Sequence, residues 1–150
     1  MFTADQFVAH LVGDYILQSH WMATEKTRNN IAAAIHAICY TLPFMLVTQS
    51  FMALSAICAS HFLVDRFRLA RYIVWLKNGP FYLYEPEPAT NLNGWRDPPR
   101  LGFRQRLTVK PVTATGYPDD VPAWLSVWLL IITDNTVHLL CNGVAIGMLA

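Results

Sequence analysis

VPAWLSVWLLIITDNTVHLLCNGVAIGMLA, residues 121–150, is an apolar run whose sole formally charged side chain is Asp134. Pro122 suits the first turn of a helix, and no proline follows it. At ~1.5 Å per residue, such a helix is long enough to cross a hydrocarbon layer of ~30 Å. Asp134 and His138 stand four residues apart, so a helix presents both on one face. This stretch therefore reads as a long apolar helix with a polar pair at its middle.

Three further segments have the same character: residues 3–24, 31–48 and 51–77. A polar turn at 25–30 separates the first two, and Pro43 is expected to kink the second. Gln49 and Ser50 form a minimal turn, and Gly79-Pro80 ends the third helix. Residues 78–120, by contrast, hold Pro86, Pro88, Pro98, Pro99, Pro111 and Pro118, which rule out a long helix. A small strand or hairpin around 104–113 fits there. The expected fold is one all-α domain over 1–150, a four-helix transmembrane bundle with a long loop between helices three and four.

Composition supports a membrane setting, with 54% hydrophobic residues against 14% charged. A net charge of +1 gives no field for nucleic acid, so none is expected as a partner. Cys39, Cys58 and Cys141 lack framework spacing and read as small core residues beside polar faces. No basic region opens the chain as a secretory signal would.

If all four segments cross, one side receives Lys26, Arg28, Arg68, Arg71, Lys77 and the loop bases Arg96, Arg100, Arg104, Arg106 and Lys110. The other side, with both termini and the Gln49-Ser50 turn, has no Lys or Arg. The positive-inside rule then makes the loop cytoplasmic and both termini periplasmic, in a bacterial inner membrane. Trp21, Trp75 and Trp124 fall at the same boundary, as an aromatic belt would. A soluble bundle would not require this asymmetry.

Two more pairs share the four-residue spacing, His10/Asp14 and His61/Asp65, and His36 lies on the second segment. Helices one and three read histidine then aspartate; helix four runs back and reads Asp134 then His138. Antiparallel packing thus predicts a layer of Asp14, Asp65 and Asp134 with His10, His61 and His138 one turn deeper. Burying such groups is costly unless something compensates them, and a metal ion does so. These seven residues suit one or two divalent ions. Mixed nitrogen and oxygen donors favour zinc, with manganese or iron as alternatives. A single His/Asp pair on a helix is more often a local hydrogen bond, and a buried proton relay is the competing reading. Gln18 and Asn142 continue these faces and are expected to orient the ligands by hydrogen bonds. Asn135 is expected to turn away and His20 to lie at the interface. Lys26, Arg66 and Arg68 stand near the mouth as candidate anion contacts, or as topology determinants.

The run His10-Leu-Val-Gly-Asp14-Tyr-Ile-Leu-Gln18 with Trp21-Met22-Ala23 and Lys26 resembles the start of a family of integral-membrane proteins of bacteria and tailed phages, domain of unknown function 3307. His36, His61-Phe-Leu-Val-Asp65-Arg66, Gly116-Tyr117-Pro118, Trp124 and Asp134-Asn-Thr-Val-His138 extend the resemblance along the chain. It implies no activity. A looser likeness, to membrane metal-dependent hydrolases with His-x-x-x-Asp helices, implies hydrolysis by analogy alone.

The expected function is a polytopic membrane metalloprotein, a hydrolase of esters or phosphoesters acting through a metal-activated water. Asp14, Asp65 and Asp134 are its candidate catalytic carboxylates. The lipid bilayer and an amphiphilic or anionic small molecule are the expected partners, and homo-oligomerisation is left open. The alternative is a metal- or proton-handling membrane protein, or a phage accessory factor with a structural metal site.

Overall fold

The computed structural model describes residues 2–84 and 106–150. The arginine- and proline-rich middle of the long loop, with Arg96, Arg100 and Arg104, lies outside the described residues. The described chain is mostly helical. Helices α1 (Ala4–Leu11), α2 (His20–Glu25), α3 (Asn30–Thr41), α4 (Phe51–Phe67) and α5 (Leu69–Lys77) precede strands β1 (Phe81–Tyr84) and β2 (Arg106–Val109), and α6 (Ala123–Leu149) follows.

The first and third expected helices are broken. After α1 the chain makes a π-helical turn over Val12–Ile16, then leaves helical geometry before Ser19 caps α2 by accepting from Met22 N–H. A capping serine competes with continuation of the helix, which is why residues 3–24 do not form one rod. The third segment breaks at Arg68, which takes the left-handed conformation at φ 52°. Arg68 Nη2 donates to Ala114 O at 3.0 Å, so the break is tied to the returning loop. Pro43 acts as expected: α3 tightens into a 3-10 turn over Leu42–Leu46. In consequence, among the described residues only α6 is both long and apolar enough to cross a membrane alone, and the four-span bundle is not seen as four such helices.

The strands lie within the loop. A strand does form within 104–113: β2 pairs antiparallel with β1, Phe81 opposite Val109, so its partner lies across the loop instead of in a local hairpin. The return segment closes on α5 at Gly116, whose φ of 79° suits glycine and whose Cα faces the main chain of Arg71 and Trp75. Tyr117 is buried beside it.

The helices pack as an antiparallel bundle in which α4 contacts both α3 and α6. Ser50 Oγ, at the start of α4, donates to Leu149 O at the end of α6. The apolar core of Ala9, Tyr40, Phe44, Ile57 and Ala145 sits toward this end. The outer surface is apolar as well: Leu46, Phe51, Ile16 and Met148 are more than 70% exposed. Buried inside, in contrast, are the polar side chains of His10, Asp14, His36, His61, Asp65, His138 and Asn142.

Candidate metal centre

Each donor reaches the interior for a local reason. The wide π turn, in which Leu17 N–H donates to Val12 O at 3.0 Å, carries Asp14 inward. Gly13 precedes it, where any β-carbon would lie 2.8 Å from both the ring and the carbonyl of Tyr40. Its hydrogen therefore lets α3 approach closely enough for His36 to meet Asp14. His61 and Asp65 come from consecutive turns of α4. All four side chains are buried.

Their donor atoms converge. His36 Nε2 lies 3.2 Å from Asp14 Oδ1 and 3.2 Å from Asp65 Oδ2. His61 Nε2 lies 3.6 Å from Asp14 Oδ1, 3.1 Å from Asp65 Oδ2 and 2.9 Å from His36 Nε2. A tetrahedron with metal bonds of ~2.0 Å has edges of about 3.3 Å. These five separations, 2.9–3.6 Å, bracket the edge length such a site requires. Asp65 Oδ2 is also buried without a hydrogen bond of proper geometry, although nitrogens crowd it. An oxygen in that position is suited to a cation. The cluster can hold a metal ion.

One cation already reaches in. Lys26 Nζ lies 2.9 Å from Asp65 Oδ2, 3.2 Å from His36 Nε2 and 4.0 Å from Asp14 Oδ1. The lysine read from sequence as a mouth residue thus points into the donor set.

A second group adjoins the first through the other oxygen of Asp65. His138 Nε2 lies 3.4 Å from Asp65 Oδ1 and 3.6 Å from Asp134 Oδ2, with Asp134 half-buried. The rings of His61 and His138 meet at Nδ1, 3.1 Å apart. His36 Nδ1 has no hydrogen-bond partner among the described residues.

His10 is placed differently. Its Nδ1 meets the Tyr40 hydroxyl at 2.8 Å and its Nε2 meets Asn135 Oδ1 at 2.8 Å, while Asp14 Oδ2 stands off at 3.7 Å. Asn142 Nδ2 donates to the same hydroxyl at 2.6 Å. Tyr40 also stacks on His61, ring centroids 3.5 Å apart. His10 and Asn142 therefore brace Tyr40, which braces His61. Asn135 does not turn away: it holds His10 and pairs with Tyr15, which donates to it and accepts from its Nδ2 at 2.8 Å. Tyr40 was open to the spacing rule, since it stands four residues after His36. Tyr40→Phe removes the partner of two buried groups. It should lower stability by about 2–4 kcal/mol while leaving metal content unchanged, as a detergent-phase melt with metal analysis would show.

The remaining expected residues lie outside the donor set. Gln18 is half-buried beyond the π turn, its Oε1 without a hydrogen-bond partner among the described residues. Arg66 holds the 27–30 turn, donating from Nη1 to Thr27 O at 2.9 Å and from Nε to Asn30 Oδ1. Arg68 holds the Ala114 carbonyl. His20 is exposed at the start of α2.

Residues 2–84 match the family model described as protein of unknown function (DUF3307). No curated protein and no solved structure matches the chain. The matched stretch contains Asp14, Lys26, His36, His61 and Asp65, the whole first donor group with its lysine. With more than half its length in that match, the chain belongs to the DUF3307 family.

Proposed function

We propose that this protein is a membrane-embedded metalloenzyme, a hydrolase that holds one divalent ion among Asp14, His36, His61 and Asp65. The convergence of four buried donors at tetrahedral spacing carries this reading. Two nitrogens and two oxygens favour zinc, with manganese or iron next.

A proton count favours one ion over two. The His61 and His138 Nδ1 atoms are 3.1 Å apart, so one proton lies between them. If His61 donates it, His61 Nε2 keeps a bare lone pair for metal. His138 then carries its own proton on Nε2, which lies 3.4 Å from Asp65 Oδ1 and 3.6 Å from Asp134 Oδ2. His138 thus fixes the tautomer of His61, as outer hydrogen bonds do for zinc-bound histidines. A bound ion supplies Lewis-acid polarisation and lowers the pKa of water. Asp134 lies outside the four donors and lines a cleft, so it would take the proton of a water adding to an ester or phosphoester and return it to the alkoxide that leaves as the ester bond breaks.

The apolar exterior supports placement in a bilayer. In α6 only 22% of the most apolar stretch is buried, unlike the core helix of a soluble domain. Composite spans complete the bundle: α1 with its π turn, α3 with its 3-10 turn, and α4, about 25 Å long. The absence of Lys and Arg at the Gln49-Ser50 end supports a topology with that end across the membrane from the loop. A proton relay is the second reading, favoured by the unbroken run of imidazole contacts from His36 through His61 to His138.

The test starts from protein extracted from carbonate-washed membranes and purified in detergent. About one zinc per chain is expected, with chelator-sensitive turnover of a phosphoester panel. Asp134→Asn should retain the ion and lose turnover at least 100-fold. Zinc well below one per chain would leave the relay as the better reading, and zinc without turnover of any ester would remove the hydrolase.

A further inference from the structure

Beside the donor set lies a cleft of about 160 Å³, with Asp65 and Asp134 in its lining. Three basic residues, Lys26, Arg68 and Arg71, line it, and Leu130 and Ile131 of α6 form an apolar wall. Arg71 reaches it with capacity to spare. Its Nη2 donates to the Tyr72 hydroxyl at 2.9 Å, while its buried Nε has no hydrogen-bond partner among the described residues. Arg68 and Arg71 also wall an adjoining hollow of about 510 Å³ together with Arg66.

We propose that this cleft seats the phosphate of an amphiphilic phosphoester, with Lys26, Arg68 and Arg71 as its anion contacts and Leu130 and Ile131 along its chain. The assignment rests on the metalloenzyme reading and names the substrate class of the same site. Its logic is electrostatic. Lys26 Nζ lies 2.9 Å from Asp65 Oδ2, within the space an ion would take. Two cations do not share that space, so an ion entering the donor set turns Lys26 out. Its next available position is the cleft it already lines. The same ion neutralises the carboxylates that would otherwise repel a phosphate. Metal loading therefore converts an acidic cleft floor into an anion seat, to which two guanidinium groups add donors suited to phosphate oxygens. Beside this polar seat, Leu130 and Ile131 belong to α6, whose most apolar stretch is only 22% buried. A chain leaving the phosphate along them enters the bilayer.

Alkyl phosphonates test the assignment without turnover, because they are not hydrolysed. Titration calorimetry on the full chain, in maltoside detergent and loaded with zinc, would compare decylphosphonate with methylphosphonate. Decylphosphonate should bind at least ten-fold tighter, and zinc-free protein should bind either one at least ten-fold more weakly. Arg71→Gln should weaken binding about ten-fold or more at unchanged zinc content. Arg68→Gly is the second variant: glycine takes the left-handed conformation readily, so the turn is kept although the guanidinium and its bond to Ala114 O are lost. Wild-type affinity in both variants would overturn the cleft assignment. Equal affinity for the two phosphonates would also overturn it, in favour of free phosphate. Wild-type protein without bound zinc would overturn the metal reading, and this one with it; indifference of both variants at full zinc content would overturn this one alone.

Discussion

Asp65→Ala is expected to leave the purified chain without bound zinc, below a tenth of an ion where the wild type holds about one. Asp65 has the largest share in the donor geometry. Its Oδ2 faces His36, His61 and Lys26 at 2.9–3.2 Å, and its Oδ1 faces His138 at 3.4 Å. Alanine removes one tetrahedral donor and the charge that balances an incoming cation. It also leaves Lys26 facing Asp14 alone, at 4.0 Å. Removing one partner of a buried ion pair costs about 3–5 kcal/mol, so the metal-free melt should fall as well. Asp65→Asn keeps the shape and separates the two effects: it should retain much of the fold and still lose zinc. Elemental analysis of both variants checks the expectation, and full zinc retention by either one would move the site elsewhere.

Gly13→Ala should have an effect of similar size, and its sign is diagnostic. In an open helix, alanine for glycine stabilises by up to ~1 kcal/mol. Here the added methyl would lie 2.8 Å from the Tyr40 carbonyl and 3.0 Å from its Cα, so the main chain of α3 has to move. Overpacking of this kind typically costs 1–3 kcal/mol, and this contact, against backbone, belongs near the ~3 kcal/mol end. The shift also separates Asp14 from His36, so zinc affinity should fall together with stability. A melt combined with competitive zinc titration reads both, and a more stable variant with unchanged affinity would contradict the packing.

What the sequence made legible follows from what helical periodicity encodes. The pairs His61/Asp65 and Asp134/His138 lie on helices that stay regular through them, α4 and α6, and the four-residue rule placed them side by side. His10/Asp14 obeys the same spacing, but the π turn begins between the two residues, at Val12. A wider turn changes the phase, so Asp14 joins His36 while His10 goes to Tyr40 and Asn135. That shift also accounts for Asn135, which sequence reading turned away from the site. The break at Arg68 had no signal of its own, because neither glycine nor proline marks it and its cause, the Ala114 carbonyl, comes from 46 residues downstream. Lys26 was legible as a base near the mouth. Its inward direction depends on the short α2 helix, and no periodic pattern extends over so few residues.

The position of Lys26 bears on how such a protein is made. Buried carboxylates and imidazoles impede insertion of a nascent helix pair into lipid, and a metalloprotein that needed its ion to neutralise them would have to acquire it during synthesis. This chain brings an ammonium of its own, covalently attached and 2.9 Å from Asp65. On the proposed metal reading, assembly and loading separate in time: the bundle closes first around this internal counter-ion, and a metal enters later by exchange.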